Sequence, residues 1–142
     1  MLSMLDKILQ AILKMLKKKD ERVLLWSNAS PNSTFAPQKL DVSWQDYDSI
    51  HTEFKYDTGK DAHRNSESKS CVLRTRGHLQ SIYLTSTGAM RACERYFLLT
   101  EDGIQFQSGW FGTGNAAAAI KETSCIPLKI YGVKSSGGGQ TS

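Results

Sequence analysis

The chain is short of the residues that usually carry chemistry. Three cysteines, three histidines and three prolines are scattered over 142 residues. Cys71, Cys93 and Cys125 are odd in number, widely spaced and without a C-x-x-C pair, which argues against a zinc site or a disulfide framework. They read as reduced, half-buried strand residues of a protein made in a reducing cytoplasm. His51, His63 and His78 are unclustered, with no H-E-x-x-H, no Ser-His-Asp order and no Cys-His pairing. No long apolar run exists. Asp6, Lys7, Gln10 and Lys14 interrupt residues 1–16, and a bilayer crossing takes about 20 apolar residues. A signal peptide is excluded as an expectation, because the charges follow the apolar segment and no small-residue cleavage site comes after it.

Charge of one sign is scarce as well. The net charge is +4, and the excess gathers in Lys14, Lys17, Lys18 and Lys19. Without interleaved aromatics this is a solvated helix end rather than a nucleic-acid surface. Glu94 and Glu101 fall at opposite ends of one expected strand, about 23 Å apart at strand rise, too far for a glycosidase pair. Gly109 to Gly114 lacks the G-K-[ST] ending of a P-loop and the G-x-G-x-x-G spacing, and reads as a turn needing positive φ. Asp46 and Asp48, around Tyr47, supply too few ligands for an EF-hand, so a backbone-bonded turn is expected there. No catalytic residue, metal or cofactor is assigned, and the expectation is not an enzyme but an assembly or binding protein.

Enough apolar residues are present for a core, at 39% hydrophobic and 23% charged. Residues 2–20 are expected to be helical, with Ser3 as N-cap, Asp6 near the positive end of the dipole and lysines near the negative end. Leu2, Leu5, Leu9, Ile12 and Leu16 recur at spacings of 3 and 4. Met1, Leu5, Ile8, Ile12 and Met15 make a second seam beside the first. Such a broad apolar face suits a bundle of three or more helices, packing on the chain's own sheet, or a lipid surface.

Beyond the helix, strand signals dominate. Val23 to Trp26 begins a strand, and NASPN (Asn28 to Asn32) is a turn. Gln38 to Trp44 alternates strictly, and Ile50, Thr52, Phe54 and Tyr56 share one face of a third strand. Residues 57–70 are polar and aperiodic and read as a long loop. Cys71 to Thr75, Leu79 to Thr87, Met90 to Leu99 and Ile104 to Gln107 read as strands, with Glu101-Asp102-Gly103 as a hairpin turn. Ala116 to Ala119 is expected as a helical turn or loop. Thr123 to Val133 closes the domain, with Pro127 at an edge, a strand start or a bulge. The reading is mainly β, an antiparallel β-sandwich (jelly-roll-like) over 23–134. It is preceded by an amphipathic helix over 1–22 and followed by a Gly/Ser tail over 135–142.

Several segments together resemble a known family. Trp26 to Gln38 (WSNASPNSTFAPQ), Tyr47 to Ile50 (YDSI), Asp102 to Phe106 (DGIQF) and Cys125 to Lys134 (CIPLKIYGVK) stand in one order. That order resembles a domain of tailed bacteriophages and prophages of gut bacteria, similar to the β-sandwich tips of virion fibre and tail proteins. The resemblance implies a homotrimeric structural or adhesion role, no enzyme activity, a virion location, and other virion proteins and host-surface glycan as partners. It brings no binding residues with it. A single helix in place of a long shaft points to a small decoration or head-fibre protein docked by that helix. From the residues themselves, Leu2, Leu5, Ile8, Leu9, Ile12 and Leu16 are the candidates for oligomerisation or anchoring. Tyr47, His63, Arg64, Trp110 and Phe111 are the candidates for ligand contact. The alternative is a lipid-binding protein acting through the basic amphipathic helix, with Lys14 to Lys19 on anionic lipid.

Overall fold

A computed structural model describes residues 3–17, 21–56, 65–114 and 116–135. Helix α1 spans Met4–Lys17. Ten strands follow among the described residues: β1 Glu21–Ser27, β2 Gln38–Leu40, β3 Ser49–Lys55, β4 Asn65–Cys71, β5 Arg76–Leu84, β6 Met90–Thr100, β7 Gly103–Phe106, β8 Trp110–Thr113, β9 Ala116–Ile120 and β10 Ile126–Lys134. The first sheet runs β1-β10-β3-β4. The second runs β2-β7-β6-β8-β9, with β5 on the other side of β6. Every ladder is antiparallel. The sheets pack as a β-sandwich, as the alternation requires.

Strand β6 is the spine of the second sheet. Cys93, Arg95, Phe97 and Leu99 point into the molecule, while Ala92, Tyr96 and Leu98 point out. From Met90 to Leu98 it pairs with β5 on one side, and β7 and β8 share the other. Phe97, Phe106, Leu79 and Ile104 meet Ile50, Phe54, Ile126 and Ile130 of the first sheet in one cluster. Phe97 and Phe106 lie 5.2 Å apart between ring centroids, and Phe35 meets Phe106 edge-on at 5.5 Å. Truncating such a phenylalanine to alanine costs about 3–5 kcal/mol. Trp26 and Trp44 pack against this cluster from half-buried positions.

Several expectations are corrected. Only Gln38–Leu40 of the alternating run pairs with another strand, on β7; Val42 stays buried beyond the ladder's end. Part of the expected loop is β4, which pairs with β3 from Asn65↔Lys55 to Cys71↔Ser49. Its inward residues are serines, so no apolar alternation marks it. Residues 72–74 form a 3-10 turn rather than a strand. The Gly-rich segment is β8 and the alanine run is β9, an antiparallel pair rather than a turn and a helical turn. Alanine has little strand propensity, and here the pairing partner decides. Pro127 sits at the start of β10, beside a register shift between Pro127 and Lys129, so an inner strand tolerates it.

Candidate functional site

Four surfaces and one buried cluster carry the chemistry seen among the described residues. On α1, Ser3 and Asp6 form a reciprocal capping box: Asp6 N donates to Ser3 Oγ at 3.1 Å and Ser3 N to Asp6 Oδ2 at 3.3 Å. Met4, Leu5, Ile8, Leu9, Ile12, Leu13 and Met15 are all 47% to 75% exposed. The helix therefore does not bury its apolar face in its own sandwich, which removes the reading of it as ordinary core. Leu16 lies in the helix's last turn, and Leu2 lies outside the described residues.

The outer face of the second sheet is the next surface. Cross-strand neighbours form one row, Gln80–Glu94–Trp110–Ile120, and the row beside it is Ile82–Ala92–Gly112, with Ala118 beyond. Ile82 is 74% exposed, and Leu84, Met90 and Ile120 are each more than half exposed. His78 Nδ1 and Gln80 Nε2 both lie 2.8 Å from Glu94 Oε1. These two contacts fix the carboxylate and leave Oε2 without a partner among the described residues. A hollow of about 430 Å³ lies over Arg76, His78, Glu94, Tyr96, Trp110 and Ala118. A second, of about 250 Å³, continues over Ile82, Ala92 and Gly112. Trp110 is thus a half-exposed side chain on an open sheet face, not a plug at the end of the sandwich. Phe111, its neighbour, faces inward and packs on the core, with Lys121 Nζ 4.4 Å from its ring centre.

The outer face of the first sheet is mostly polar, with an internal network of pairs and with Leu24 half exposed beside Tyr131. Arg22 stacks over Tyr131 at 3.7 Å and reaches Glu53 at 3.0 Å and Glu67 at 3.3 Å. Glu67 meets His51 Nδ1 at 3.1 Å, and His51 Nε2 lies 3.2 Å from Ser49 Oγ. Burial lowers the His51 pKa from its ordinary value, outweighing the opposing pull of Glu67. The order Ser49–His51–Glu67 imitates a nucleophile, base and orienter, which the sequence did not show because Glu67 comes from another strand. Yet β3 is flanked by strands on both sides, which commits its N–H groups to ladders. An oxyanion site needs free donors aimed at one point, and the ladders on both sides of β3 leave few of its own to serve. The array acts as a polar network that holds the sheet's surface.

Between the free edges of β4 and β5 lies an open cleft of about 730 Å³, bordered by Lys69, Arg74, Arg76 and His78. Ser68 Oγ donates to His78 O at 2.5 Å across it. Cations along such edges discourage pairing with another chain.

Inside, Arg95 is fully buried. It donates to Gln107 O at 2.7 Å and to Cys125 O, Glu122 O and Ser124 O at 3.1 Å each, and it pairs with Glu122 Oε2 at 3.2 Å. Burial lowers its pKa against the pull of Glu122. Gly109 leaves room for it, since a Cβ there would meet Arg95 Nη2 at 2.6 Å. Beside Arg95, Cys93 and Cys125 bring their sulfurs to 2.9 Å. The cysteines are therefore not three isolated half-buried residues: two are a buried pair, and Cys71 is exposed.

The remaining candidates are dispersed. Tyr47 covers Gly132, where a Cβ would meet its ring at 2.5 Å, and so closes one end of the sandwich. Asp48 accepts from Ser135 N at 2.7 Å and Ser135 Oγ at 2.9 Å, which holds its pKa below the ordinary carboxylate value. The Asp48 side chain thus ties its turn to Ser135 rather than to the turn's own backbone; among the described residues no group of three or more His, Cys, Asp and Glu is placed to hold a metal ion. His63 and Arg64 lie outside the described residues. Of the described ligand-contact candidates, Trp110 alone joins a cluster of polar groups, and His78, Gln80, Glu94 and Tyr96, which complete it, were not among the ligand-contact candidates drawn from sequence. Their period-2 spacing on β5 and β6 was the available signal. Comparisons with protein-family models, curated proteins and solved structures find nothing that matches this chain. No described helix is long and apolar enough to cross a membrane.

Proposed function

We propose that the chain is a non-enzymatic structural protein of a bacteriophage virion, a fibre, decoration or tail-associated component that assembles through α1. The observation that carries the assembly reading is the exposed apolar stripe of Leu5, Ile8, Leu9 and Ile12. A 14-residue helix is marginal alone in water, and association is what would cover the stripe. Two adjacent seams suit a homotrimer. The virion context is supported by the ordered segments from Trp26 to Lys134. Sedimentation of the full chain tests assembly against a variant with Leu5, Ile8, Leu9 and Ile12 all changed to serine. A trimer that becomes a monomer supports it; a monomer in both overturns it. Vesicle flotation tests the lipid-surface alternative, which the lysines at the helix end favour. Salt-sensitive flotation with anionic vesicles by the monomeric chain would replace assembly by membrane attachment.

Contact with host-surface glycan belongs to the same reading, and the outer face of the second sheet supports it. A ring face beside a fixed acceptor is what a pyranose needs: Trp110 packs on C–H groups, and Glu94 Oε2 takes a hydroxyl. Saturation-transfer NMR of the full chain with methyl glucoside, methyl galactoside and N-acetylglucosamine is the check. Transfer that is lost in Trp110→Ala and Glu94→Gln supports the contact. No transfer to any of them removes the glycan from the proposal and leaves assembly to its own test.

A further inference from the structure

We infer that Cys93 and Cys125 form a latent intramolecular disulfide, an oxidation site that can join the two sheets covalently. Their sulfurs lie 2.9 Å apart, and a disulfide bond is about 2.0 Å long, so closure asks for a movement of under about 1 Å. Cys93 comes from β6 of the second sheet, and Cys125 directly precedes β10 of the first. Arg95 anchors the second cysteine by donating to its carbonyl at 3.1 Å and to that of Ser124 at 3.1 Å. The pair is thus held by its surroundings rather than by chance rotamers. Cys125 also has φ 49, in the left-handed region. Glycine would adopt that conformation with less strain, yet the chain places there a side chain that reaches Cys93.

The balance of the step is simple. Two thiols give up two protons and two electrons to a small-molecule disulfide, here oxidised glutathione, which becomes two glutathione thiols. One cysteine thiolate attacks the small disulfide and expels the first glutathione. The other cysteine thiolate then displaces the second and forms the bridge. The contact with Cys93, and burial, push the Cys125 thiol well above its ordinary pKa. Oxidation is therefore slow, and it quickens when the sandwich opens locally or the pH rises. Once formed, the bridge ties residues 32 apart and clamps β10, an inner strand of the first sheet, to the spine of the second. The inference goes beyond the assembly reading and does not rest on it.

The test uses the full chain with Cys71→Ala, which removes the exposed thiol. Reduced protein is incubated with oxidised glutathione at about pH 8, where more thiolate is present, then denatured and alkylated. The expected result is an intact mass lower by two hydrogens, no alkylation, and a peptide linking Cys93 to Cys125. The bridged form should melt on the order of 10 °C higher than the reduced form. In the Cys71→Ala/Cys93→Ser protein the same treatment should leave the melting temperature unchanged. Two alkylated thiols, a retained glutathione adduct, or a bridged form that melts lower would each overturn the inference. The comparison of one protein before and after oxidation holds even if Cys93→Ser does not fold.

Discussion

The two sheets bury similar inner faces and present opposite outer ones. On the first sheet, Arg22 ties Glu53 and Glu67 together over Tyr131, and His51 links Glu67 to Ser49. Its polar groups answer one another through these contacts. On the second sheet, Ile82, Leu84, Met90 and Ile120 stand in solvent around Trp110, with alanines and a glycine between them. A face satisfied within itself has little to give a partner. Apolar side chains left in water on a continuous face are where a docking partner would gain most. The same rule separates α1 from the sandwich, since its stripe is exposed as well.

The largest break in this comparison comes from beneath both faces. Arg95→Met leaves Glu122 and the carbonyls of Gln107, Ser124 and Cys125 without their donor. A loss of about 3–5 kcal/mol is expected in urea unfolding, because removing one member of a buried charged network strands the rest. Arg22→Ala is the next in size. It frees Glu53 and Glu67 to repel each other and uncovers Tyr131, for a loss of about 1 kcal/mol that shrinks as salt is added. A third effect separates the faces by pH. The folded pKa of His51 is depressed, so its contribution is full above the unfolded value near 6.5 and is lost as pH falls through the folded one. Melting temperature should drop on that acid side, and His51→Gln should flatten the slope. The smallest effect is on the second sheet. Ile82→Thr should change stability by less than about 0.5 kcal/mol, since Ile82 is 74% exposed. A loss of 2 kcal/mol or more there, well above that bound, would mean that the face already serves the fold.

Much of this architecture was legible in the residues. Alternation gave β3, turn chemistry gave the hairpin at Glu101-Asp102-Gly103 after the strand read at Met90 to Leu99, and Ser3 with Asp6 marked the helix start. Strands without apolar alternation were missed for a physical reason. β4 is written in serine, lysine and glutamate because it closes a sheet edge, and β9 is a run of alanines held by β8. Their pairing partners, β3 and β8, are the strands just before them in the chain, but the residues of β4 and β9 carry little strand propensity of their own. The site was half legible. Trp110 stood out as an aromatic among glycines, whereas Glu94 looked like one end of an unproductive carboxylate pair. Only the register Gln80–Glu94–Trp110 brings it beside the ring.

The sequence alone determined the class of the molecule: an amphipathic helix, then short alternating strands with a core's share of apolar residues. Local periodicity and turn chemistry suffice for that, because each is set by near neighbours. Tertiary structure decided which faces stay open, that Arg95 fastens the 122–125 loop, and that two thiols placed 32 positions apart touch. Those are consequences of strand order, and strand order is fixed by how two sheets share one core rather than by any single segment.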